Sequence, residues 1–134
     1  MKLRKDFPFQ DLIGWQANEM GDGAARFSLE IREAHLSPIG LVHGAVAYTL
    51  CDTAMGAALF SSLSQGEYCT TIEISMRYLK GVSDGKLECL AEVTSKSRRL
   101  GHCRAVVTLD GQEVAGATGS FLISKFKTDA PTTG

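Results

Sequence analysis

Residues 35–62 read HLSPIGLVHGAVAYTLCDTAMGAALFSS. One charged residue, Asp52, stands in this stretch; the nearest others are Glu33 before it and Glu67 after it. From Gly44 to Ser61 the residues predict one helix, apolar nearly all the way round. A helix with no wet face is normally buried. An ionised carboxylate inside it costs several kcal/mol unless it is paired, hydrogen-bonded or protonated. Asp52 therefore calls for a reason, and a functional one is the working reading.

The start of this helix is unusual too. Its first amide N–H groups have no partner within the helix, and Ser, Thr, Asp or Asn usually caps them. The entry here is Gly40-Leu41-Val42-His43-Gly44, with no such side chain at the first turn. Two readings stand side by side. Free amides at a positive dipole end can receive an anion or a developing oxyanion, with Gly44 letting a ligand come close. Alternatively, His43 or water caps the helix.

His43 and Asp52 are nine residues apart, which puts them on opposite faces of one helix and roughly 13 Å apart. They cannot both reach one reacting bond within a single chain. If both act in catalysis, a second subunit supplies one of them, so the enzymatic reading is tied to a homo-oligomer, a dimer or a dimer of dimers with sites at the subunit interface.

The 134 residues suit one domain with a real core. Hydrophobic content of 44% and charged content of 22% are ordinary for a globular protein. A net charge of −1 gives no pull toward nucleic acid or an anionic membrane. Cys51, Cys69, Cys89 and Cys103 have no C-x-x-C spacing, so buried reduced thiols are expected rather than a metal site or a disulfide framework. The first residues, MKLRKDFPFQDLIGW, lack an apolar run long enough for a secretory signal, which favours the cytoplasm. Leu41–Phe60 approaches membrane-spanning length, but it carries His43 and Asp52 and lacks Lys or Arg flanks, so no membrane role is expected.

Residues 1–10 read as a lead-in, helical or irregular, and 127–134 as a frayed tail. Leu12–Glu19 and Ala24–Arg32 read as strands joined by the hairpin signal Gly21-Asp22-Gly23. Pro38 and Gly40 break the chain before the helix, and Gly66 follows it. In Thr70–Leu79, Ile72, Ile74, Met76 and Tyr78 alternate with Thr71, Glu73, Ser75 and Arg77, the period of a half-buried strand. Leu87, Cys89, Ala91 and Val93 mark the next strand, then His102–Leu109 and Gln112–Ser124, with turns at Ser83-Asp84-Gly85, Arg98–Gly101 and Asp110-Gly111. One apolar helix among about six strands predicts an α+β domain in which a curved antiparallel sheet wraps the helix.

This order, with G-x-x-H-G and an aspartate eight residues after its last glycine, resembles the hotdog-fold acyl-CoA thioesterases, and within them the PaaI-like group. Their pattern runs N-x-x-G-x-x-H-G-G, followed by an acidic residue. The chain has Ser37, Gly40, His43, Gly44, Ala45 and Asp52 at these places, and the similarity covers about residues 10–124. The resemblance implies hydrolysis of an acyl- or aryl-CoA to free acid and CoA, without a cofactor. It implies that the Gly44 amide would bind the thioester carbonyl, that His43 would position that site, and that Asp52 of a partner subunit would act as general base or nucleophile. Thr71 could hold the water, while Arg98 and Arg99, with Lys80, would meet the CoA phosphates.

Two positions depart from the pattern. Ser37 offers one short hydroxyl where the family has an amide, and Ala45 replaces a second glycine. Each role also has a structural alternative: His43 as a helix-start residue, Asp52 as a structural acid, Thr71 as an ordinary strand residue, Arg98 and Arg99 as solvated turn charges. His35 and His102 read as structural or exposed, Asp22, Asp84 and Asp110 as turn residues, and Met55, Leu59 and Phe60 as core or pocket lining. A hotdog hydratase or dehydratase, and a non-catalytic acyl-CoA or lipid binder, are the competing functions.

Overall fold

The computed structural model describes residues 4–127. A short helix α1 (Pro8–Ile13) leads into strands β1 (Trp15–Gly21) and β2 (Ala24–Glu30). A 3-10 turn (Glu33–His35) and a loop precede the long helix α2 (Gly44–Phe60). Four strands follow: β3 (Glu67–Tyr78), β4 (Lys86–Lys96), β5 (Leu100–Leu109) and β6 (Gln112–Lys125). They form one antiparallel six-stranded sheet in the order β1-β2-β4-β5-β6-β3. The sheet curves around α2, which is the hotdog architecture. The frayed tail expected at 127–134 lies, but for Lys127, outside the described residues.

Turn chemistry closes the hairpins. Asp22 and Gly23 (φ 53° and 80°), like Asp110 and Gly111 (φ 50° and 77°), take the left-handed conformations that suit two-residue hairpins. The first strand begins later than Leu12, because Pro8 opens a helical turn and Gly14, at φ 97°, closes it by donating its N–H to the Gln10 carbonyl. The 98–101 turn is tighter than the sequence suggested, with Leu100 and Gly101 already in β5.

One face of α2 carries Leu50, Cys51, Ala54, Met55, Ala58 and Leu59, all wholly buried against the concave side of the sheet. Burial of Leu50, Met55 or Leu59 is worth about 1.5–3 kcal/mol each. The packing is close: a Cβ on Gly101 would come within 2.6 Å of both Leu59 methyl groups. The opposite face differs from the expectation of a helix buried all round. Ala45, Tyr48, Thr49, Asp52, Thr53, Gly56, Ala57 and Phe60 form a stripe that is half-buried or exposed. The sheet of one chain covers one side of α2 and leaves the other open, so Asp52 is half-buried rather than enclosed.

The expected apolar face of β3 is also only partly covered. Ile74 and Met76 pack on the core, whereas Ile72 and Tyr78 stand 54% and 55% exposed. β3 is an edge strand, and the irregular register between Thr71 and Glu73 pushes Ile72 out of the pairing. Three of the four cysteines are buried, Cys69 is half-buried, and all four are free thiols. Among the described residues, no helix is long and apolar enough to cross a membrane.

Candidate active site

α2 and β3 together place the acid. Asp52 lies on the open face of α2, and β3 sets Thr71 opposite it at the strand irregularity. The Thr71 hydroxyl donates to Asp52 Oδ1 at 2.7 Å. That bond fixes one carboxylate oxygen, while Oδ2 has no hydrogen-bond partner among the described residues and can accept a proton. Thr71 therefore orients the carboxylate directly, and its hydroxyl oxygen keeps lone pairs that could accept from the water the resemblance assigns to it. Both residues line a groove of about 980 Å³ whose other walls are largely apolar, among them Gly56, Ala57, Phe60, Tyr68 and Phe126. Cys69 also lines it, and burial, reinforced by the negative charge of Asp52, pushes its thiol up to about 11. At neutral pH this thiol is protonated and is no nucleophile.

The helix start forms a second, separate cavity of about 340 Å³, lined by His43, Gly44, Tyr78 and Lys80 among others. Of the two readings of the helix start, a histidine cap is one the structure bears out: His43 Nδ1 accepts the Ala45 N–H at 3.0 Å. The accepting Nδ1 leaves the ring proton on Nε2. This cap does not use the neighbouring amide. The Gly44 N–H has no acceptor among the described residues, so the oxyanion reading keeps its donor. Gly44 also has a packing role, because the Tyr78 hydroxyl donates to the Gly44 carbonyl at 2.7 Å and a Cβ on Gly44 would lie 3.2 Å from the Tyr78 ring.

The sequence-predicted residues thus divide into two groups. Asp52 and Thr71 share the groove, while His43, Gly44 and Lys80 share the helix-start cavity. Neither cavity contains residues of both groups, as the opposite-face spacing requires. Ser37 joins neither: its carbonyl accepts from Gly40 and its N–H donates to the Leu41 carbonyl, which closes the loop before α2. Arg98 and Arg99 sit in the β4–β5 turn, where the Arg99 carbonyl accepts the Ile123 N–H, close to the β3 end that carries Thr70 and Thr71. Lys80 is at the other end of β3, bonded to Gln112, so one chain does not bring it to the two arginines.

The other histidines are structural or exposed. His35 is buried, accepts from the Arg32 N–H and donates from Nε2 to the Ile13 carbonyl. His102 contacts Ser120 on the outer sheet face, but the Ser120 hydroxyl donates to Glu73, so its proton is not directed at the imidazole. Met55 and Leu59 are core, whereas Phe60 lines the groove. The part of the site that sequence reasoning missed is the N-terminal wall of the groove, Phe7, Phe9 and Trp15. Pro8 and Gly14 bracketing a short helix were the available signal. Among the described residues no group of three or more His, Cys, Asp or Glu side chains is placed to hold a metal.

Comparison with known proteins bears on the family and the fold. The model of the family described as "Thioesterase superfamily" matches residues 39–115, more than half of the chain. A Mycobacterium tuberculosis protein named "Putative esterase Rv1847" is 29% identical over 100 residues, 72% of this chain and 71% of that protein. Its solved structure superposes with a TM-score of 0.86 at 25% identity, over 91% of this chain and all of that one. The phenylacetic acid degradation protein PaaI of Thermus thermophilus, solved as a mutant, gives a TM-score of 0.80 at 26% identity, over 87% of this chain and 98% of that one. An Archaeoglobus fulgidus protein named "Putative esterase" is 29% identical over 76 residues, and the match spans about half of its length, 47%.

Proposed function

The chain belongs to the thioesterase superfamily, and from that premise we propose that it hydrolyses the thioester bond of an acyl-CoA to a free acid and CoA. The observation that carries this reading is the Asp52–Thr71 pair, with one free carboxylate oxygen facing a largely apolar groove. In a homodimer, the Gly44 N–H of one subunit would donate to the carbonyl oxygen of the thioester, at the positive end of α2. Asp52 of the partner subunit would take a proton from water through Oδ2 while the water oxygen attacks the carbonyl carbon. Collapse of the tetrahedral intermediate would expel the CoA thiolate, which is protonated by solvent or by Asp52. His43 holds the first turn of α2 in place and so positions the Gly44 amide. The open faces of α2 and β3 supply apolar surface for the subunit contact this arrangement needs.

The test is a panel of acyl-CoAs assayed for free thiol. Release of CoA supports hydrolysis. Hydration of an enoyl-CoA without release would favour the hydratase reading, and saturable binding without turnover the non-catalytic one. Arg98 and Arg99 carry a separate expectation. As phosphate contacts remote from the carbonyl they give uniform binding, so replacing both with Ala should raise KM at least severalfold with kcat nearly unchanged. The KM of the wild type should also climb with salt more steeply than that of the variant. Equal KM and equal salt dependence would leave both arginines as surface charges.

A further inference from the structure

The groove beside Asp52 has a wall that the hydrolytic chemistry does not use. α1 is six residues long and buries none of them. A helix that short does not persist by itself. It is held at its C-terminal end, where Arg32 Nη2 donates to the Leu12 and Ile13 carbonyls at 3.1 Å and His35 Nε2 donates to the Ile13 carbonyl. Aromatic contacts hold its other end: Phe7 and Phe9 set their rings edge-on to Trp15, with centroids 5.3 and 5.6 Å away. Phe7 and Phe9 nonetheless remain 52% and 49% exposed, and both face the groove. Such a cluster of open aromatic surface, continuous with a reactive carboxylate, marks a place where an apolar ligand is bound.

Charge limits what that ligand can be. Besides Asp52, the charged residues lining the groove are Arg4 and Asp6, and they are paired with each other at 2.8 Å. Among the described residues, no unpaired cation lines the groove to receive a second carboxylate on the acyl group, and Asp52 would repel one. The groove of one chain, about 980 Å³ before a partner subunit closes it, has room for far more than an acetyl group.

We propose that Phe7 and Phe9, backed by the buried Trp15, form the acyl-binding wall, so that the site selects uncharged, apolar acyl groups much larger than acetyl and rejects those ending in a carboxylate. This rests on the thioesterase reading in taking a thioester as the ligand. Each added methylene that finds this wall should improve binding about threefold to fourfold.

Trp15 is the only tryptophan, so its fluorescence reports occupancy without any turnover. Asp52→Asn protein, titrated with octanoyl-, benzoyl-, acetyl- and succinyl-CoA, should respond to the first two at concentrations about 100-fold lower than to the last two, because even without the Asp52 charge the groove offers a second carboxylate no unpaired cation among the described residues. The Phe7→Ala, Phe9→Ala double variant should lose at least tenfold of that preference. Phe9→Arg, which puts a cation in the groove, should gain at least tenfold for succinyl-CoA relative to octanoyl-CoA, a gain that misfolding cannot produce. Equal affinity for all four esters, or full selectivity in the double variant, overturns the proposal. Selective binding without CoA release by the wild type would remove the hydrolytic reading and leave the wall standing; CoA release with no acyl preference would do the reverse.

Discussion

Asp52→Asn should lower kcat by about 10² or more while the melting temperature stays close to wild type. The substitution keeps the shape of the side chain and its Oδ1, so the Thr71 hydroxyl still has an acceptor. It removes the negative charge and the basic oxygen. Because Asp52 is half-buried on the open face of α2, its charge is partly solvated, and neutralising it should neither rescue nor wreck the fold. A structural acid would behave the other way. Its loss would cost about 1–3 kcal/mol from weakened charge-assisted bonding, and each molecule that still folded would turn over normally. Melting temperature and kcat measured on one preparation separate the two cases. A lowered melting temperature with undiminished turnover per folded molecule would end the catalytic reading.

The second large effect is expected at Gly44→Pro, and it carries the subunit argument. Proline at the first helical position removes one N–H and little else. His43, at φ −61° and ψ 137°, already has the extended backbone that a following proline requires. The added ring carbons press on Tyr78, which is 55% exposed and can give way. Loss of the oxyanion donor should cost about 10²–10³ in kcat. Mixing Gly44→Pro chains with Asp52→Asn chains should then restore about a quarter of wild-type activity, because in a two-fold dimer half the molecules are hybrids with one intact site of two. Recovery at that level, from two inactive parents, requires sites shared between subunits. No recovery after verified subunit exchange would place both groups in one chain's site or remove one from catalysis.

Much of this site could be read before folding was considered. Asp52 stands out because no other charge occurs between Glu33 and Glu67, and Gly44 because the usual capping residues are missing. Spacing alone separated His43 from Asp52, and the two cavities follow from that separation. The helix start was legible only as a choice between a cap and an anion site. The structure has room for both, since the imidazole takes the Ala45 N–H and leaves that of Gly44 free. The openness of one side of α2 was not legible: its residues are apolar on both sides, and only tertiary placement decides which side the sheet takes. The aromatic wall was hidden for a similar reason. Phe7, Phe9 and Trp15 carry no periodicity of their own, and their meaning comes from where Arg32 and His35 pin the segment. Ser37 and Lys80 were grouped with their neighbours by motif and charge, but chain reversal in the loop and the length of β3 set them elsewhere.

The strand order sets a sequence of events for the growing chain. β3 is made before β4, β5 and β6, yet its partner in the sheet is β6 alone. Until the ribosome has delivered Gln112–Lys125, the strand that carries Thr71 has no neighbour to bond to, and both of its edges stay bare while β4 and β5 are synthesised. The acid on α2 is thus present from the outset, but its hydroxyl partner is locked into register last. The arrival of β6 fixes the strand that carries Thr71 and covers one bare edge of β3 in a single step, ending an interval in which that strand is open to aggregation.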